Sequence, residues 1–371
     1  MKYPIRILHV LGGLNRGGAE TMVMNLYRNI DRSKVQFDFI VHTENKCDYD
    51  DEIKSLGGKI YSIPRYKGKN HIQYKKVWNS FFEEHPEYKI IHGHVRSTAS
   101  IYLKIAKRNN LKTIAHSHNT SSGKGLSAFV KNILQYPIRY TADYLFTCSL
   151  TAGEWLYGKK ACKQKKFHII KNAINSKQYI FNQEIRDKVR KEFNIENSFV
   201  IGHIGRFHLQ KNHNYLIEIF KEVHEKEPKA VLMLIGEGEL QQKIEKKVND
   251  LGLDNSVIFT GVRSDIPELL QAMDIFVFPS LYEGLGIVVI EAQASGLQCV
   301  VSDTVPRETN IANTIEYVSL KDSYRYWGET ILKYFDNCKR KNTRDQIMNS
   351  GYDIKQTSEW LQNFYIRAWR N

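Results

Sequence analysis

The stretch FPSLYEGLGIVVIEAQASG, residues 278–296, sets Tyr282 and Glu283 beside a Gly-Leu-Gly turn and a second carboxylate, Glu291, eight positions later. The apolar run ending at Phe278 reads as a strand, LYEGLG as a turn, and IVVIEAQASG as a helix that Gly296 ends. Backbone N–H groups at such a helix start have no intrahelical partner, and the dipole behind them favours a phosphate or an electronegative sugar hydroxyl. Eight residues of continuous helix rise ~12 Å, well beyond the ~5 Å between the paired carboxylates of a retaining glycosidase. Glu283 and Glu291 are therefore better suited to grip separate parts of one extended ligand than to act as nucleophile and acid. The alternative is two ordinary exposed glutamates. It is weakened because Glu291 interrupts an apolar face, where a carboxylate needs a partner.

Three further stretches carry polar chemistry. In GHIGRFHLQKN, 202–212, Arg206 follows a strand end and Lys211 lies five residues on. Arg offers a planar fork and Lys a point charge, so the pair suits a diphosphate and the charge that grows on a departing phosphate; two solvated cations are the alternative. HVLGGLNRGGAE, 9–20, is a strand, a glycine loop and a helix start at Gly17 and Gly18. Neither it nor GHIG has the spacing of the dinucleotide fingerprint G-x-G-x-x-G, which leaves close approach to a ligand or a tight turn. TIAHSHNTSSG, 113–123, puts His116 and His118 one residue apart at a strand end. No third ligand stands at a familiar zinc spacing, so hydrogen bonding to substrate is expected of one and burial remains open for the other.

The elements that must position these residues are short apolar runs alternating with helical patterns. IRILHV, QFDFIVH, KIIHGH, KTIAHS and DYLFTCS in the first half, and SFVIGHIG, AVLMLIG, SVIFTG, DIFVFPS and QCVVSD in the second, read as buried parallel strands. NYLIEIFKEV puts Leu216, Ile219, Phe220 and Val223 on one helix face. Repeated strand–helix alternation implies α/β doubly wound layers with ligands at the carboxyl ends of the strands. With 371 residues, two domains are expected: 1–175 and 176–352, with a linker in the blurred stretch 175–197 and a last helix, 353–371, packing back on the first domain. That helix carries Trp360, Leu361, Phe364 and Tyr365 on one stripe.

The charge is divided unevenly. Residues 1–175 hold 29 Lys and Arg against 13 Asp and Glu, and the remainder 25 against 27. An excess confined to one half suggests a polyanionic partner there: nucleic acid, an anionic membrane surface or a phosphorylated substrate. No apolar run approaches the roughly 18 residues of a membrane span. The five cysteines, 47, 148, 162, 299 and 338, are scattered, as expected of reduced thiols in a cytoplasmic protein.

Together, GGAE at 17–20, HSHN at 116–119, GRFHLQKN at 205–212, IGEGEL at 235–240, FTGVRSDIPELL at 259–270 and the 278–296 stretch resemble the retaining, nucleotide-sugar-dependent glycosyltransferases of family 4, whose fold is GT-B: two Rossmann-like doubly wound domains facing across a cleft. The first half resembles bacterial exopolysaccharide and capsule enzymes. The resemblance implies that Arg206 and Lys211 bind the donor diphosphate and Glu291 the ribose hydroxyls. Glu283, with the backbone of Gly284, Leu285 and Gly286, would hold the donor sugar, the backbone at Val262 and Arg263 would read the base, and Gly18 would lie near the phosphates. His118 would contact the sugar near the reacting carbon, with His116 open as its substitute and Asn119 beside it on the acceptor side. No metal or cofactor is expected. The implied mechanism is front-face displacement, in which the leaving phosphate helps to deprotonate the acceptor hydroxyl.

The expected partners are a nucleotide-sugar, foremost a UDP-sugar, and a glycan or lipid-linked acceptor for surface polysaccharide, without nucleic acid. Two stretches of the first domain, 66–82 and 125–140, could dock a cytoplasmic protein on the anionic inner face of the membrane, with Phe129, Ile133, Leu134, Lys131 and Arg139 in the second stretch. If these helices instead cover the domain's own sheet, no such surface exists. The rivals are a nucleotide-sugar 2-epimerase of the same architecture, a nicotinamide-dependent dehydrogenase that lacks its fingerprint, and a non-enzymatic basic nucleic-acid-binding protein.

Overall fold

A strand buried on both faces is mostly apolar, and in Ile5–Val10 the side chains of Ile5 and Ile7 enter one core layer and those of Leu8 and Val10 the other. It is β1 of a parallel sheet with β2 (Val35–Val41), β3 (Ile60–Ser62), β4 (Ile90–Gly93), β5 (Lys112–Ser117), β6 (Tyr144–Thr147) and β7 (Phe167–Ile169). The strand order is β3-β2-β1-β4-β5-β6-β7. The computed structural model describes residues 4–118, 126–337 and 340–370. It divides into one unit of Met1–Ile174 with Gly351–Asn371 and a second of Asn175–Ser350.

One face of the first sheet is covered by the helices Gly18–Asn29 and Ile354–Arg370. The latter buries Leu361, Phe364 and Tyr365, while Trp360 stays at the rim. The C-terminal helix thus belongs to the first unit's core. The other face is covered by His71–Glu84, Ala99–Arg108 and Leu150–Tyr157. In His71–Glu84 the aromatic side chains Tyr74, Trp78, Phe81 and Phe82 are all buried. Within the basic-aromatic stretch 66–82, the aromatics Tyr74, Trp78, Phe81 and Phe82 of this helix therefore face the core and are not free for a membrane.

The second unit repeats the plan with β8 (Phe199–Ile204), β9 (Ala230–Ile235), β10 (Val257–Phe259), β11 (Ile275–Phe278), β12 (Gln298–Ser302) and β13 (Ile315–Val318). They pair in parallel in the order β10-β9-β8-β11-β12-β13. In each sheet the order reverses beside the first strand, between β1 and β4 and between β8 and β11. Strand ends diverge at such a switch point and leave a crevice for ligands.

The stretch expected as a linker is structured. Ser176–Tyr179 makes a short 3-10 turn, and Gln183–Glu192 is a helix on the second unit, N-capped by Asn182. Arg186 and Arg190 both pair with the buried Asp274, which also accepts from the Val200 N–H at 2.7 Å. Strongly charged residues hid this helix from a reading based on apolar periodicity.

Candidate functional site

In the second unit the switch point is where the sequence motifs converge. The chain leaving β8 through Gly205 and the chain leaving β11 through Pro279 are tied to each other. Gln210 donates to the Tyr282 carbonyl at 2.9 Å, Leu281 N–H donates to the Gln210 carbonyl at 2.8 Å, and Asn212, in the left-handed region, donates to the Pro279 carbonyl at 3.1 Å. This brings Lys211 Nζ to 2.7 Å from Glu283 Oε1, an ion pair with side chains only 17% and 7% exposed. The same ammonium lies 4.5 Å from the centre of the Phe278 ring, a position the ring's quadrupole favours. Gly205 lies close against it, and a Cβ there would crowd Lys211 Cγ at 3.0 Å.

Gly286, with φ 77°, turns the chain into the helix Ile287–Ala294, whose first N–H groups receive no side-chain cap. Gly284 faces open space, and Leu285 is buried. A carboxylate and an ammonium, both largely buried, next to a helix start with no side-chain cap can hold an electronegative, polyhydroxylated group by donation and acceptance together.

Glu291 lies in that helix and finds the partner its apolar surroundings demand: the Tyr179 hydroxyl of the turn Ser176–Tyr179. Burial pushes the Glu291 carboxyl up to about 7, and the hydrogen bond from Tyr179 pulls the other way. Sequence reading missed Tyr179 because it falls in the stretch taken as a linker. Arg206, by contrast, is exposed and reaches Glu239 at 3.4 Å. The Arg263 guanidinium is engaged by Asp265 at 2.8 and 2.6 Å, so its backbone and that of exposed Val262, beyond Gly261 with φ 69°, are the parts left to read a ligand.

In the first unit a cavity of about 450 Å³ is bounded by Gly18, Glu20, His94, Arg96, His118 and Lys131, among others. Gly18 starts the helix Gly18–Asn29 without a side-chain cap, and nothing lies within 4 Å of where its Cβ would be. The two candidate histidines part company. His118 lines the cavity, whereas His116 is buried and turned toward other imidazoles. Asn119 lies outside the described residues.

His118 does not stand alone. Its Nε2 is 2.8 Å from His94 Nδ1, His94 Nε2 is 3.0 Å from His9 Nδ1, and His116 Nδ1 is 3.1 Å from His92 Nε2. Desolvation holds the imidazoles of His9 and His118 down to about 3 and those of His92, His94 and His116 well below their usual range, so all five are neutral. The sequence carried a signal for this cluster, since two neighbouring strand ends both read His-x-His, at 92–94 and 116–118.

A second cavity, of about 520 Å³, shares Val95, Ser97 and Lys131 with the first and adds Arg65, Lys67, Val130 and Leu134. Beside it, on the helix Leu126–Gln135, Phe129, Val130 and Ile133 are exposed.

Two family models match the chain: Glycosyltransferase Family 4 over residues 16–178 and Glycosyl transferases group 1 over residues 185–347. EpsF of Bacillus subtilis (strain 168), assigned as a glycosyltransferase, is 34% identical over 368 residues, covering 97% of this chain and 96% of that protein. The UDP-Gal:alpha-D-GlcNAc-diphosphoundecaprenol alpha-1,3-galactosyltransferase of Escherichia coli is 30% identical over 210 residues, 54% of each chain. Among solved structures, Anabaena HepE in complex with UDP and glucose superposes with a TM-score of 0.75 at 17% identity, covering 98% of this chain and 100% of that one. At that identity the likeness is one of fold.

Proposed function

The chain belongs to glycosyltransferase family 4, and from that premise we propose that it moves a sugar from a UDP-sugar to a hydroxyl of a lipid-linked glycan, with retention, in the assembly of a surface polysaccharide. The observation that carries the reading is the Lys211–Glu283 pair, set at the second unit's switch point under an uncapped helix start. Lys211, with the more exposed Arg206, takes the charge that grows on the diphosphate. Glu283 and the backbone of Gly284, Leu285 and Gly286 hold the donor sugar, Glu291 the ribose hydroxyls, and the backbone at Val262 and Arg263 the base. In the first unit Gly18 and His118 line one cavity, and we propose them as ligand contacts, Gly18 for phosphate and His118 for a sugar.

Transfer breaks the bond from the anomeric carbon to the phosphate oxygen and forms the bond to the acceptor oxygen on the same face. The acceptor proton passes to the departing phosphate. No step of this scheme draws on a metal or on an enzymic base. Support for a uracil nucleotide comes from the relatives: the Escherichia coli enzyme is named for UDP-Gal and HepE was crystallised with UDP. That relative's diphosphoundecaprenol acceptor has the chemistry that the second cavity suits, with Arg65, Lys67 and Lys131 for phosphate and Val130 and Leu134 for a chain.

The test is a thermal shift of the full chain with UDP, GDP and ADP. A ligand that binds the native state raises stability by RT ln(1 + [L]/Kd), so UDP should raise Tm more than the others at equal concentration. No shift with any of the three contradicts the reading.

A further inference from the structure

His94, His116 and His118 each offer one ring nitrogen, and the three nitrogens lie within 4.8 Å of one another. His94 Nδ1 and His118 Nε2 are 2.8 Å apart. The other nitrogens of two of these rings are engaged from behind. His94 Nε2 meets His9, His116 Nδ1 meets His92, and His92 Nδ1 meets the Tyr365 hydroxyl at 2.6 Å. This leaves the Nε2 of His116, on a side chain 2% exposed, with no hydrogen-bond partner. A neutral imidazole has one donor and one acceptor. That nitrogen is therefore either a buried orphan N–H, which is costly, or a bare lone pair.

We propose that His94, His116 and His118 bind a divalent transition metal ion of the zinc type, through Nδ1 of His94 and Nε2 of both His116 and His118. With the lone pairs turned to the ion, His94 Nε2–H donates to His9 and His116 Nδ1–H donates to His92, which donates in turn to Tyr365. Outward donation of this kind is what fixes the tautomer and ring angle of a metal-bound histidine. Three imidazoles without a carboxylate suit zinc, copper or nickel and not magnesium, calcium or manganese. The cavity that His94 and His118 line leaves room for a fourth ligand. The trio His9, His92 and His94 also converges, but His9 and His92 are buried and do not line that cavity. The ion takes no part in the transfer proposed above. On that reading it competes with substrate, because His118 serves both.

The test is calorimetric titration of the chelator-stripped full chain with ZnCl2 and, separately, MgCl2. The expected result is one zinc per chain and no heat of binding from magnesium. His116→Asn removes a ligand and should weaken zinc by more than the ~10–100-fold that losing an outer hydrogen-bond partner costs, while His71→Asn, at an exposed histidine elsewhere on the unit, leaves it unchanged. Cobalt(II) on the unmodified chain gives a second readout that needs no variant: visible absorption of nitrogen-bound cobalt, abolished by zinc. Absence of stoichiometric zinc binding, absence of the cobalt band, or zinc affinity that survives both His116→Asn and His94→Asn overturns the proposal. Failure of the transfer reading shows instead as absent nucleotide binding, which these titrations do not measure.

Discussion

Glu291 is a candidate site residue whose chemistry depends on its surroundings. Its folded-state carboxyl titrates near 7 instead of the ordinary 4.5 because burial disfavours the charge. A raised value means that the ligand-free fold holds this proton more tightly than the unfolded chain does. The stability it contributes is full below 4.5 and is lost as pH rises through about 7. Accepting from ribose hydroxyls requires the carboxylate, so nucleotide affinity should move the opposite way and strengthen as pH rises through 7. Calorimetry of UDP binding should show Kd about tenfold weaker for each pH unit below 7. Glu291→Gln should flatten that profile and cost roughly 1.5–3 kcal/mol of binding at pH 8; an unchanged profile would make Glu291 a structural partner of Tyr179 only. For Lys211→Ala the expectation is a kcat lower by about 10²–10³. A variant with normal kcat and only a raised KM would place the ammonium outside the transition state.

At the scale of elements, the strand ends and helix starts decide where ligands approach. Gly18 has open space where a side chain would go, so Gly18→Val should fold with a Tm near that of the unmodified chain yet lose donor turnover. Equal loss of Tm and activity would mean that the glycine serves the turn alone. The helix Gln183–Glu192 makes a separate stability prediction. Asp274→Asn leaves two guanidinium groups without their buried carboxylate and should cost about 3–5 kcal/mol, read as a lower midpoint in urea. The central strands of both sheets were legible from apolar-rich runs such as IRILHV and AVLMLI, because a strand buried on both faces shows as mostly apolar sequence. The edge strands Ile60–Ser62, Phe167–Ile169 and Ile315–Val318 were not, being short and half-exposed. The same limit hid Gln183–Glu192 and, with it, Tyr179. The Glu283–Lys211 pairing was beyond sequence reading, because 72 residues separate two side chains that only the switch point brings together. His9 and His92 sat on correctly placed strands and His94 just past the end of one, but nothing in one strand's sequence shows which rings of its neighbours will touch it.

For the whole molecule, the basic excess of residues 1–175 motivates a test of docking on an anionic membrane. Phe129, Val130 and Ile133 are exposed on one helix, next to a cavity with Arg65, Lys67 and Lys131 at its edge. No helix among the described residues is long and apolar enough to cross a membrane, so docking of the first unit on an anionic surface would rest on charge and a few apolar side chains, at about 1 kcal/mol per basic residue. Sedimentation with phosphatidylglycerol vesicles should show binding at low salt that high salt removes, and Phe129→Ser with Ile133→Ser should weaken it. Binding that ignores salt and lipid charge would leave a dissolved acceptor as the better assignment. The central claim is that Lys211, held in place by Glu283, takes the charge of the leaving diphosphate of a UDP-sugar, and nucleotide release tests it most directly. The full chain, given a panel of UDP-sugars and a lipid-diphosphate-linked sugar, should release UDP from at least one donor, and Lys211→Ala should cut that rate by about 10²–10³. UDP release that persists unchanged in Lys211→Ala, or no release from any donor by a chain that also binds no nucleotide, would contradict it.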